Sequence, residues 1–322
     1  MILLCGIPSE TPLRMVREHL DALDANYLVF NQRRVADCDI RFEIDCGRVS
    51  GELRLGRGVH ALSTFGAIYA RLMDDRSMPE LDSEPPDSPA RQHSRGFHDA
   101  LNHWMEMSPA VVVNRFVPMG SNASKAYQTQ IIQARGFLIP PTLVTSEPDE
   151  VLAFQSRHGR VIYKSLSSVR SIVQQLDDAA LARLDRIRWC PTQFQAFVAG
   201  TNVRVHVIGD RVYATAVSTQ ATDYRYAARQ AGTAAELREV RLSDELVRRC
   251  IDLAHHLGLE FAGIDLKVTS DDEVYCFEVN PSPAFSYYEN HTGQPIARGL
   301  TLRLMDADGQ AARVDREEAV AG

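Results

Sequence analysis

The sequence predicts a mixed α/β (α+β) protein, and three stretches carry this prediction. Residues 2–30 alternate a short apolar strand, an amphipathic helix and a second strand, which is typical of a partly parallel sheet. Residues 203–217 and 261–280 each contain two alternating strands around a turn, which is typical of antiparallel hairpins. The chain is therefore expected to combine a parallel part with an antiparallel part.

Length and composition narrow the class of protein. With 322 residues, of which 45% are hydrophobic and 24% charged, the chain is an ordinary globular protein, long enough for two or three compact units. A formal net charge of −7 gives no reason to expect binding to nucleic acid or to an anionic membrane. The start, MILLCGIPSE, lacks the basic region of a secretory signal, and no stretch approaches the roughly 20 apolar residues of a membrane span.

The six cysteines are scattered along the chain and form no CxxC pair. This pattern argues against structural zinc and against a disulfide framework. Reduced thiols in a cytoplasmic protein are the simplest interpretation.

The N-terminal part predicts a small α/β domain. Strands are expected at 2–6, 27–30, 39–45, 51–55 and 66–72. Thr11 is expected to cap the first helix, with Pro12 at its first position. The glycines lack the GxGxxG fingerprint, which argues against dinucleotide binding. The segment 79–96, rich in Pro, Ser and charge, indicates a surface loop or linker.

A helix is predicted over residues 120–137, ended by Gly136. One face of this helix is traced by Ala123, Ala126, Tyr127, Gln130, Ile131 and Ala134. Lys125 lies in the first turns, where the helix macrodipole disfavours a cation. An anion bound near the helix start would offset this, and a solvated lysine is the alternative.

Two further basic residues are candidates. Lys164 ends an apolar strand before a serine-rich loop, which without glycines is a weak phosphate loop. In the hairpin 203–217, which turns at Gly209-Asp210, Arg204 and His206 lie on the polar face. The planar fork of Arg204 suits phosphate or carboxylate. His206 is a candidate general base, and the alternative is that it packs on the hairpin.

The hairpin within 261–285 is the centre of the prediction. If it is symmetric about Asp271-Asp272, the expected pairs are Asp265–Glu278, Ile264–Val279, Leu266–Phe277 and Val268–Tyr275. The expected apolar face consists of Ala262, Ile264, Leu266, Val268, Tyr275, Phe277 and Val279. The opposite face carries Asp265, Lys267, Glu278 and Asn280.

The paired acids predict a cation site. Carboxylates directly opposite on a sheet have Cβ atoms about 4.5–5.5 Å apart and repel each other. Mg²⁺ would offset this, since it typically takes one or two carboxylates together with substrate phosphates and water. Asp265, Glu278 and the Asn280 amide oxygen would suit Mg²⁺ with ATP. The alternative is a pair of solvated acids on an open sheet face.

The remaining segments complete the prediction. Residues 218–238 are polar with little periodicity and are expected to form a mobile loop near the cleft. A helix over 243–258 is indicated by Ser243 as N-cap and Gly258 at its end. Residues 306–322 are expected to be a frayed terminus.

From about Val111 to Leu304, the order of motifs resembles the ATP-grasp carboxylate–amine ligases. The matching pieces are 113-VNR-115, 125-KAYQTQIIQARGFLIPPTLVTSEPDEVLAF-154, 161-VIYKSLS-167, 193-QFQAFVAGTNVRVHVIGDRVYA-214, 223-DYR-225 and 258-GLEFAGIDLKVTSDDEVYCFEVNP-281. The likeness is strongest to the graspetide (microviridin-type) peptide ligases and weaker to the ribosomal-protein glutamate ligases.

The resemblance implies an ATP-grasp fold with an N-terminal α/β pre-grasp domain. The implied divisions are 1–108 for the pre-grasp domain, 109–190 for the central subdomain, 191–305 for the C-terminal subdomain and 306–322 for a tail. The resemblance also implies ATP and Mg²⁺ as cofactors.

Roles for individual residues follow from the same resemblance. Lys125 and Lys164 would bind nucleotide phosphates, and Arg204 would neutralise an acyl phosphate or γ-phosphate. Mg²⁺ would be held by Asp265, Glu278 and Asn280. Adenine would be received by backbone groups of the hinge Gln195, Ala196, Phe197 and Val198. Arg225, in a DYR triplet that looks like the DWR of the peptide ligases, would contact substrate.

Departures from the family concern the hinge and the acceptor. The hinge lacks the glutamate that in many relatives accepts from the ribose hydroxyls. After Asn280-Pro281, the sequence SPAFSYYE replaces the more polar continuation of the graspetide enzymes. That segment is expected to border the acceptor site, so a graspetide precursor need not be the substrate.

The predicted activity is that of an ATP-dependent ligase. A carboxylate of a peptide or amino-acid substrate would be activated as an acyl phosphate and attacked by an amine or hydroxyl. A loop such as 166–176 or 218–238 is expected to close and exclude water. A small-molecule kinase and a non-catalytic nucleotide-binding protein are the alternatives. The sequence is compatible with a homodimer but does not fix the oligomeric state.

Overall fold

A computed structural model of the chain describes residues 1–165, 173–218 and 235–309, and it confirms the mixed α/β class. Within these ranges the strands are β1 (Ile2–Gly6), β2 (Tyr27–Asn31), β3 (Cys38–Asp45), β4 (Arg48–Leu55), β5 (Gly58–Ala61), β6 (Ala67–Arg71), β7 (Val111–Val113), β8 (Thr142–Thr145), β9 (Val161–Ser165), β10 (Gln174–Gln175), β11 (Thr192–Ala196), β12 (Thr201–Ile208), β13 (Arg211–Ser218), β14 (Glu236–Glu239), β15 (Phe261–Val268) and β16 (Val274–Asn280). The α-helices are α1 (Thr11–Ala22), α2 (Pro89–Met107), α3 (Phe116–Met119), α4 (Lys125–Ala134), α5 (Pro148–His158), α6 (Asp178–Leu181), α7 (Asp244–His256), α8 (Ser286–Thr292) and α9 (Ile296–Ala307).

The N-terminal sheet is parallel, with the strand order β2-β1-β6-β7. Every residue of β1 is buried, because helices cover both faces of a parallel sheet. The first helix starts at Thr11 itself, and Glu10 occupies the N-cap without a side-chain bond. The prediction that Thr11 caps this helix was therefore wrong by one position. Pro12 is still in the first turn, where its missing N–H costs nothing.

Each face of the N-terminal sheet has its own apolar core. On one face, Leu4 packs with Leu20 of α1 and Leu300 of α9, so the last described helix covers the first sheet. On the other face, Leu3 packs with Trp104 of α2, which is buried. The antiparallel sheet β3-β4-β5 closes this second core from the outside.

The predicted linker 79–96 is shorter than expected. Helix α2 already begins at Pro89, and the Ser88 hydroxyl accepts from the Arg91 N–H at 3.2 Å. Ser followed by Pro is a strong helix start, since the serine caps and the proline tolerates the first turn. The second half of the segment is therefore helical.

The rest of the chain forms two antiparallel sheets. The middle sheet has the order β10-β9-β11-β8 and packs on α5. The C-terminal sheet has the order β14-β13-β12-β15-β16 and packs on α7, whose Cys250, Leu253 and Ala254 are completely buried. Ser243 caps α7, as predicted.

The hairpin of β12 and β13 has the predicted register. Val207 pairs with Val212 and Ile208 with Arg211, so Gly209-Asp210 is a two-residue turn. Gly209 has a φ of +52°, which this type of turn requires and which glycine adopts without strain. Arg204 and His206 consequently share the face opposite the buried valines.

The hairpin of β15 and β16 contains a β-bulge that the prediction missed. Asp265 pairs with Glu278 and Ile264 with Val279, as expected. Beyond Asp265 the register shifts, so that Leu266 pairs with Cys276 and Val268 with Val274. Leu266–Phe277 and Val268–Tyr275 were wrong, and Cys276 replaces Phe277 and Tyr275 in the buried face.

Three other segments differ from expectation. In α4 the buried residues are Gln128 and Ile132, whereas Tyr127 is 56% exposed, so the predicted face was rotated. Residues 236–239, assigned to a mobile loop, form the edge strand β14 beside β13. Helix α9 runs to Ala307, two residues into the predicted tail.

All six cysteines are free thiols. Across the described ranges, no helix combines the length and the apolar character needed to cross a bilayer. The division of the chain at residues 108, 190 and 305 stays a prediction.

Candidate active site

The site is built around two carboxylates on the C-terminal sheet. Asp265 and Glu278 are direct partners across β15 and β16, and both side chains are partly exposed on the polar face. Arg204 pairs with Asp265 from the neighbouring strand β12, with Arg204 Nη1 2.7 Å from Asp265 Oδ1. Lys125 Nζ lies 3.8 Å from Glu278 Oε2. Two cations therefore offset the repulsion of two adjacent acids.

Asn280 continues the same face. It is one residue pair beyond Val279, opposite Gly263. Its side-chain oxygen accepts from the Ser282 N–H at 2.9 Å, which holds the amide in the turn that leaves β16. The predicted trio Asp265, Glu278 and Asn280 thus lies together on one face of the sheet.

Lys125 is brought to Glu278 by the start of α4. Ser124 is the N-cap and Lys125 is the first helical residue, so the cation lies at the positive end of the helix dipole. The Glu278 carboxylate is the anion that offsets it. The sequence predicted the need for an anion but not that the protein itself supplies one.

Gln128 fixes α4 to the sheet, and the sequence analysis missed it. Strand β16 is at the edge of the C-terminal sheet. The Gln128 side chain donates to the Val279 carbonyl at 2.8 Å and accepts from the Val279 N–H at 2.9 Å. The Gln128 amide therefore takes the place of a missing strand partner. Gln128 follows Lys125 by three residues, and Val279 follows Glu278 by one.

Replacing Gln128 by Ala should destabilise the protein by about 2–3 kcal/mol, because two buried backbone groups of Val279 lose their partners. Gln130→Ala is the matched control, since Gln130 is exposed on the same helix. Its effect should stay within about 0.5 kcal/mol. Urea unfolding of both variants measures the difference, and equal effects would refute the role of Gln128.

Asn114 connects the end of the N-terminal sheet to the site. It is buried just after β7. Its Nδ2 donates to the carbonyls of Phe261 at 2.6 Å and Pro281 at 2.5 Å. Its Oδ1 accepts from the N–H groups of Glu260 at 2.8 Å and Phe261 at 3.1 Å. One side chain thus joins the start of β15 to the turn after β16.

His206 is enclosed beneath Arg204. Its ring is completely buried, in an edge contact with Tyr288 at 4.9 Å between centroids and beside Phe261. Among the described residues, neither ring nitrogen has a hydrogen-bond partner. Burial, and secondarily the charge of Arg204, lower the pKa of His206 well below 6.5. The packing alternative for His206 is therefore the one that its surroundings favour over a general base.

The neutral His206 makes stability depend on pH. Below pH 6.5 the imidazole is protonated in the unfolded chain but stays neutral in the folded protein. The contribution of His206 to the free energy of unfolding is therefore full above pH 6.5 and is lost as the pH falls. Between pH 7.5 and pH 5.5 this loss should be about 1.4 kcal/mol. His206→Phe should abolish this pH dependence, whereas the control His255→Phe, at an exposed position, should leave it in place. Urea unfolding at both pH values tests this, and an unchanged pH dependence in His206→Phe would contradict it.

The bulge in β16 changes what faces the cleft. Because Cys276 takes the core position, Phe277 is only partly buried, and its ring lies 5.8 Å from Lys267 Nζ. Lys267 Nζ also lies 5.3 Å from the Phe197 ring. Burial lowers the pKa of Lys267, and the nearby charge of Arg160 adds to this. A surface of aromatic rings around one lysine therefore adjoins the hinge.

The hinge backbone is already engaged at several points. The N–H groups of Ala196 and Phe197 donate to the carbonyls of Pro141 and Arg160, at 2.9 and 2.8 Å. The Val198 carbonyl accepts from Lys267 Nζ at 3.1 Å. Gln195 is buried and donates to the Thr142 hydroxyl at 3.0 Å. Adenine binding by this hinge stays a prediction, and these bonds restrict which backbone groups can serve it.

The other predicted residues are not brought to the carboxylates by described contacts. Lys164 lies on β9 of the middle sheet, opposite Gln193 and one residue before the strand ends. Arg225 and most of the proposed closing loops 166–176 and 218–238 lie outside the described residues. Their roles stay predictions.

A cavity of about 470 Å³ adjoins the turn after Asn280. Ser282 lines it from the C-terminal part, and Arg71, Asn102 and Asn114 line it from the N-terminal part. Arg71 donates to the Ser282 hydroxyl at 3.2 Å and to Glu10. In the segment 282–289, which is expected to border the acceptor site, Phe285 and Tyr288 are buried in the core, whereas Ser282 lines the cavity.

The donor set fits a hard cation. Two carboxylates and one amide oxygen share a face, and Mg²⁺ takes few protein ligands besides phosphate and water. In the described part of the chain, no group of three or more His, Cys, Asp and Glu side chains is placed to hold a metal ion. A fully protein-made metal cage is thus not what these residues form.

Two antiparallel sheets joined by a hinge, with paired acids on one of them, are the arrangement of the ATP-grasp fold. Two solved structures have the same fold. The PsnB ATP-grasp ligase, complexed with a precursor variant, Mg and ADP, is 23% identical, with a TM-score of 0.75 over 95% of this chain and 98% of PsnB. The RiPP-associated ATP-grasp ligase of Chryseobacterium gregarium, in complex with ADP and a leader and core peptide, is 20% identical, with a TM-score of 0.79 over 95% and 96% of the two chains.

Comparisons of the sequence find a matching domain family and similar proteins. Residues 158–304 match the family model of the RimK-like ATP-grasp domain. A probable alpha-L-glutamate ligase from Marinobacter nauticus is 29% identical over 210 residues, which are 62% of this chain and 68% of that protein. The chain therefore has the ATP-grasp fold, and its residues 158–304 are similar to RimK-like ATP-grasp domains.

Proposed function

We propose that the protein is a ligase that uses ATP and Mg²⁺ to join a carboxylate to an amine or hydroxyl on a peptide or amino-acid substrate. The observation that carries the proposal is the pairing of Asp265 with Glu278, each with its own cation on the polar face of the sheet. Such a cluster suits the binding of a metal-bound triphosphate, since its two acids and two cations can exchange partners.

The acidic and basic residues of the site have different proposed roles. Asp265, Glu278 and Asn280 would hold Mg²⁺, which when bound offsets negative charge on the transferred phosphate. Arg204 and Lys125 then face phosphate oxygens in addition to their present carboxylates. Arg204 is 6% exposed, so its charge acts at low dielectric. Lys125, at the start of α4, adds the helix dipole to its own charge.

The proposed reaction balances in two steps. A substrate carboxylate oxygen attacks the γ-phosphorus, the bond to the β-phosphate oxygen breaks, and ADP leaves. An amine or hydroxyl then attacks the carbonyl carbon of the acyl phosphate, loses its proton and expels phosphate. The products are an amide or ester, ADP and phosphate. Competing hydrolysis makes exclusion of water a requirement of the site.

The relatives support a peptide or amino-acid substrate. The PsnB and Chryseobacterium structures contain peptides, and the Marinobacter relative is a probable alpha-L-glutamate ligase. We assign the acceptor to the cavity beside Ser282, because Ser282 belongs to the turn after Asn280 and the cavity is lined by hydrogen-bond donors such as Asn102 and Arg71. Donors of this kind suit the carbonyls and carboxylates of a peptide.

The test combines the enzyme with ATP, Mg²⁺ and peptides that contain Glu or Asp together with Lys, Ser or Thr, with and without free L-glutamate. Mass spectrometry is expected to show loss of one water for an internal crosslink, or gain of one glutamyl residue for ligation. ADP and phosphate should form in step with the product. A phosphorylated product would establish a kinase instead, and AMP formation would exclude the acyl-phosphate route.

A further inference from the structure

We propose that Gly263 is a positioning residue for Arg204: its missing side chain makes the space in which the guanidinium group lies. Gly263 belongs to β15, on the same face as Asp265 two residues later, and pairs with His206 on one side and Asn280 on the other. The inference rests on the proposed function, because it treats the γ-phosphate as a ligand of Arg204.

A side chain at position 263 would fit only if Arg204 or Pro283 moved. A Cβ atom on Gly263 would lie 2.6 Å from Arg204 Cζ and even closer to its Nη2. It would also lie 2.8 Å from Pro283 Cβ, in the turn that follows Asn280. Carbon atoms in contact are normally about 3.5–4.0 Å apart, so at least one of these groups would have to move.

Arg204 cannot move without leaving the carboxylate. Its guanidinium is fixed from several sides: Nη1 is 2.7 Å from Asp265, Cζ lies 5.7 Å from the Tyr288 ring centroid, and the completely buried His206 lies two residues along the strand. The group therefore crosses the sheet over Gly263, not over a side chain. At this strand position the backbone has no need of glycine for conformational reasons, since Gly263 is not among the glycines with positive φ.

The role of Gly263 is thus to orient a cation and not to relieve the backbone. Gly263→Ala should tilt the guanidinium away from Asp265 and from the phosphate that we place there. Since a charge-assisted hydrogen bond depends steeply on geometry, binding of a triphosphate should weaken by about tenfold. Binding of a diphosphate, which lacks the γ-phosphate, should be nearly unchanged.

Calorimetric titration with MgAMPPNP and MgADP tests this for the wild type, Gly263→Ala, Arg204→Lys and the double variant. We expect Gly263→Ala to weaken MgAMPPNP by about tenfold and MgADP by less than about twofold. In the Arg204→Lys background the same glycine substitution should affect MgAMPPNP and MgADP alike, because lysine lacks the branch that would clash and only the contact with Pro283 remains. Gly96→Ala is the control, since no atom lies within 4 Å of its added Cβ.

The outcomes separate the two proposals. If the wild type binds neither nucleotide, the proposed function fails. If it binds both and Gly263→Ala weakens them equally, or weakens MgAMPPNP more than MgADP in the Arg204→Lys background as well, the role of Gly263 is refuted. Should Gly263→Ala not fold, the double variant is expected to be the more stable of the two, because only the contact with Pro283 remains. A double variant no more stable than Gly263→Ala would also overturn the inference.

Discussion

Replacing Asp265 by Asn or Glu278 by Gln will lower ATP-dependent turnover by about 10²–10³-fold. Each change keeps the size of the side chain and removes one of the charges proposed to hold Mg²⁺. Loss of several kcal/mol of charge stabilisation in the transition state corresponds to this range. The measurement is the rate of ADP release with the peptide substrate that mass spectrometry identifies.

The fold should survive both changes. The Asp265 and Glu278 side chains are 29% and 25% exposed, and removing one charge also relieves the repulsion between them. We expect the free energy of unfolding to change by less than about 2 kcal/mol. Asp39→Asn and Glu52→Gln, in the sheet β3-β4-β5, are the controls and should keep full activity. Wild-type turnover in either site variant would remove these acids from the proposed mechanism.

Asn114→Ala will have the largest effect on stability, about 3–5 kcal/mol. The substitution leaves four backbone groups without a partner: the carbonyls of Phe261 and Pro281 and the N–H groups of Glu260 and Phe261. Each buried orphan costs about 1–3 kcal/mol, and partial access of water reduces the sum. Chemical denaturation measures the loss.

The exposed Asn290 provides the control for Asn114. Asn290→Ala in α8 should change the free energy of unfolding by less than about 0.5 kcal/mol. Because Asn114 ties the turn after Asn280 to the start of β15, residual activity of Asn114→Ala should also fall at temperatures where the protein is still folded. A loss of stability below about 1 kcal/mol would show that the four groups find other partners.

The sequence predicts the hairpins well where the apolar pattern has one solution. In β12 and β13, valines and alanines alternate with polar residues, and the Gly209-Asp210 turn fixes the register. In β16 the residues from Val274 to Phe277 are all apolar or aromatic, so either alternate set of side chains could face the core. The choice is decided by the pairing of Leu266 with Cys276 and by two backbone hydrogen bonds between Leu138 and the outer edge of β16. Neither is visible in a local pattern.

Buried polar residues that bond to backbone groups were also not predicted from the sequence. Gln128 and Asn114 are buried, yet their sequence surroundings resemble those of solvated amides. Gln128 and Ile132 have the same i, i+4 spacing as Tyr127 and Ile131, and the structure buries the first pair. Choosing that pair as the inner face of α4 would have placed Gln128 inward. The pairing of Asp265 with Glu278 was predicted correctly although the pairs nearer the turn were not, because the bulge restores the symmetric register from Asp265 onward.

The packing of α9 on the first sheet has a consequence for engineering. The helix ends near the last residue of the RimK-like match, but its Leu300 and Leu304 pack with Leu4 and Leu20. A chimera that exchanges only residues 1–108 would place a foreign sheet under this helix and leave mismatched apolar surfaces. Grafts between relatives should therefore carry the first and the last described segments together, as one exchangeable module assembled from both ends of the chain.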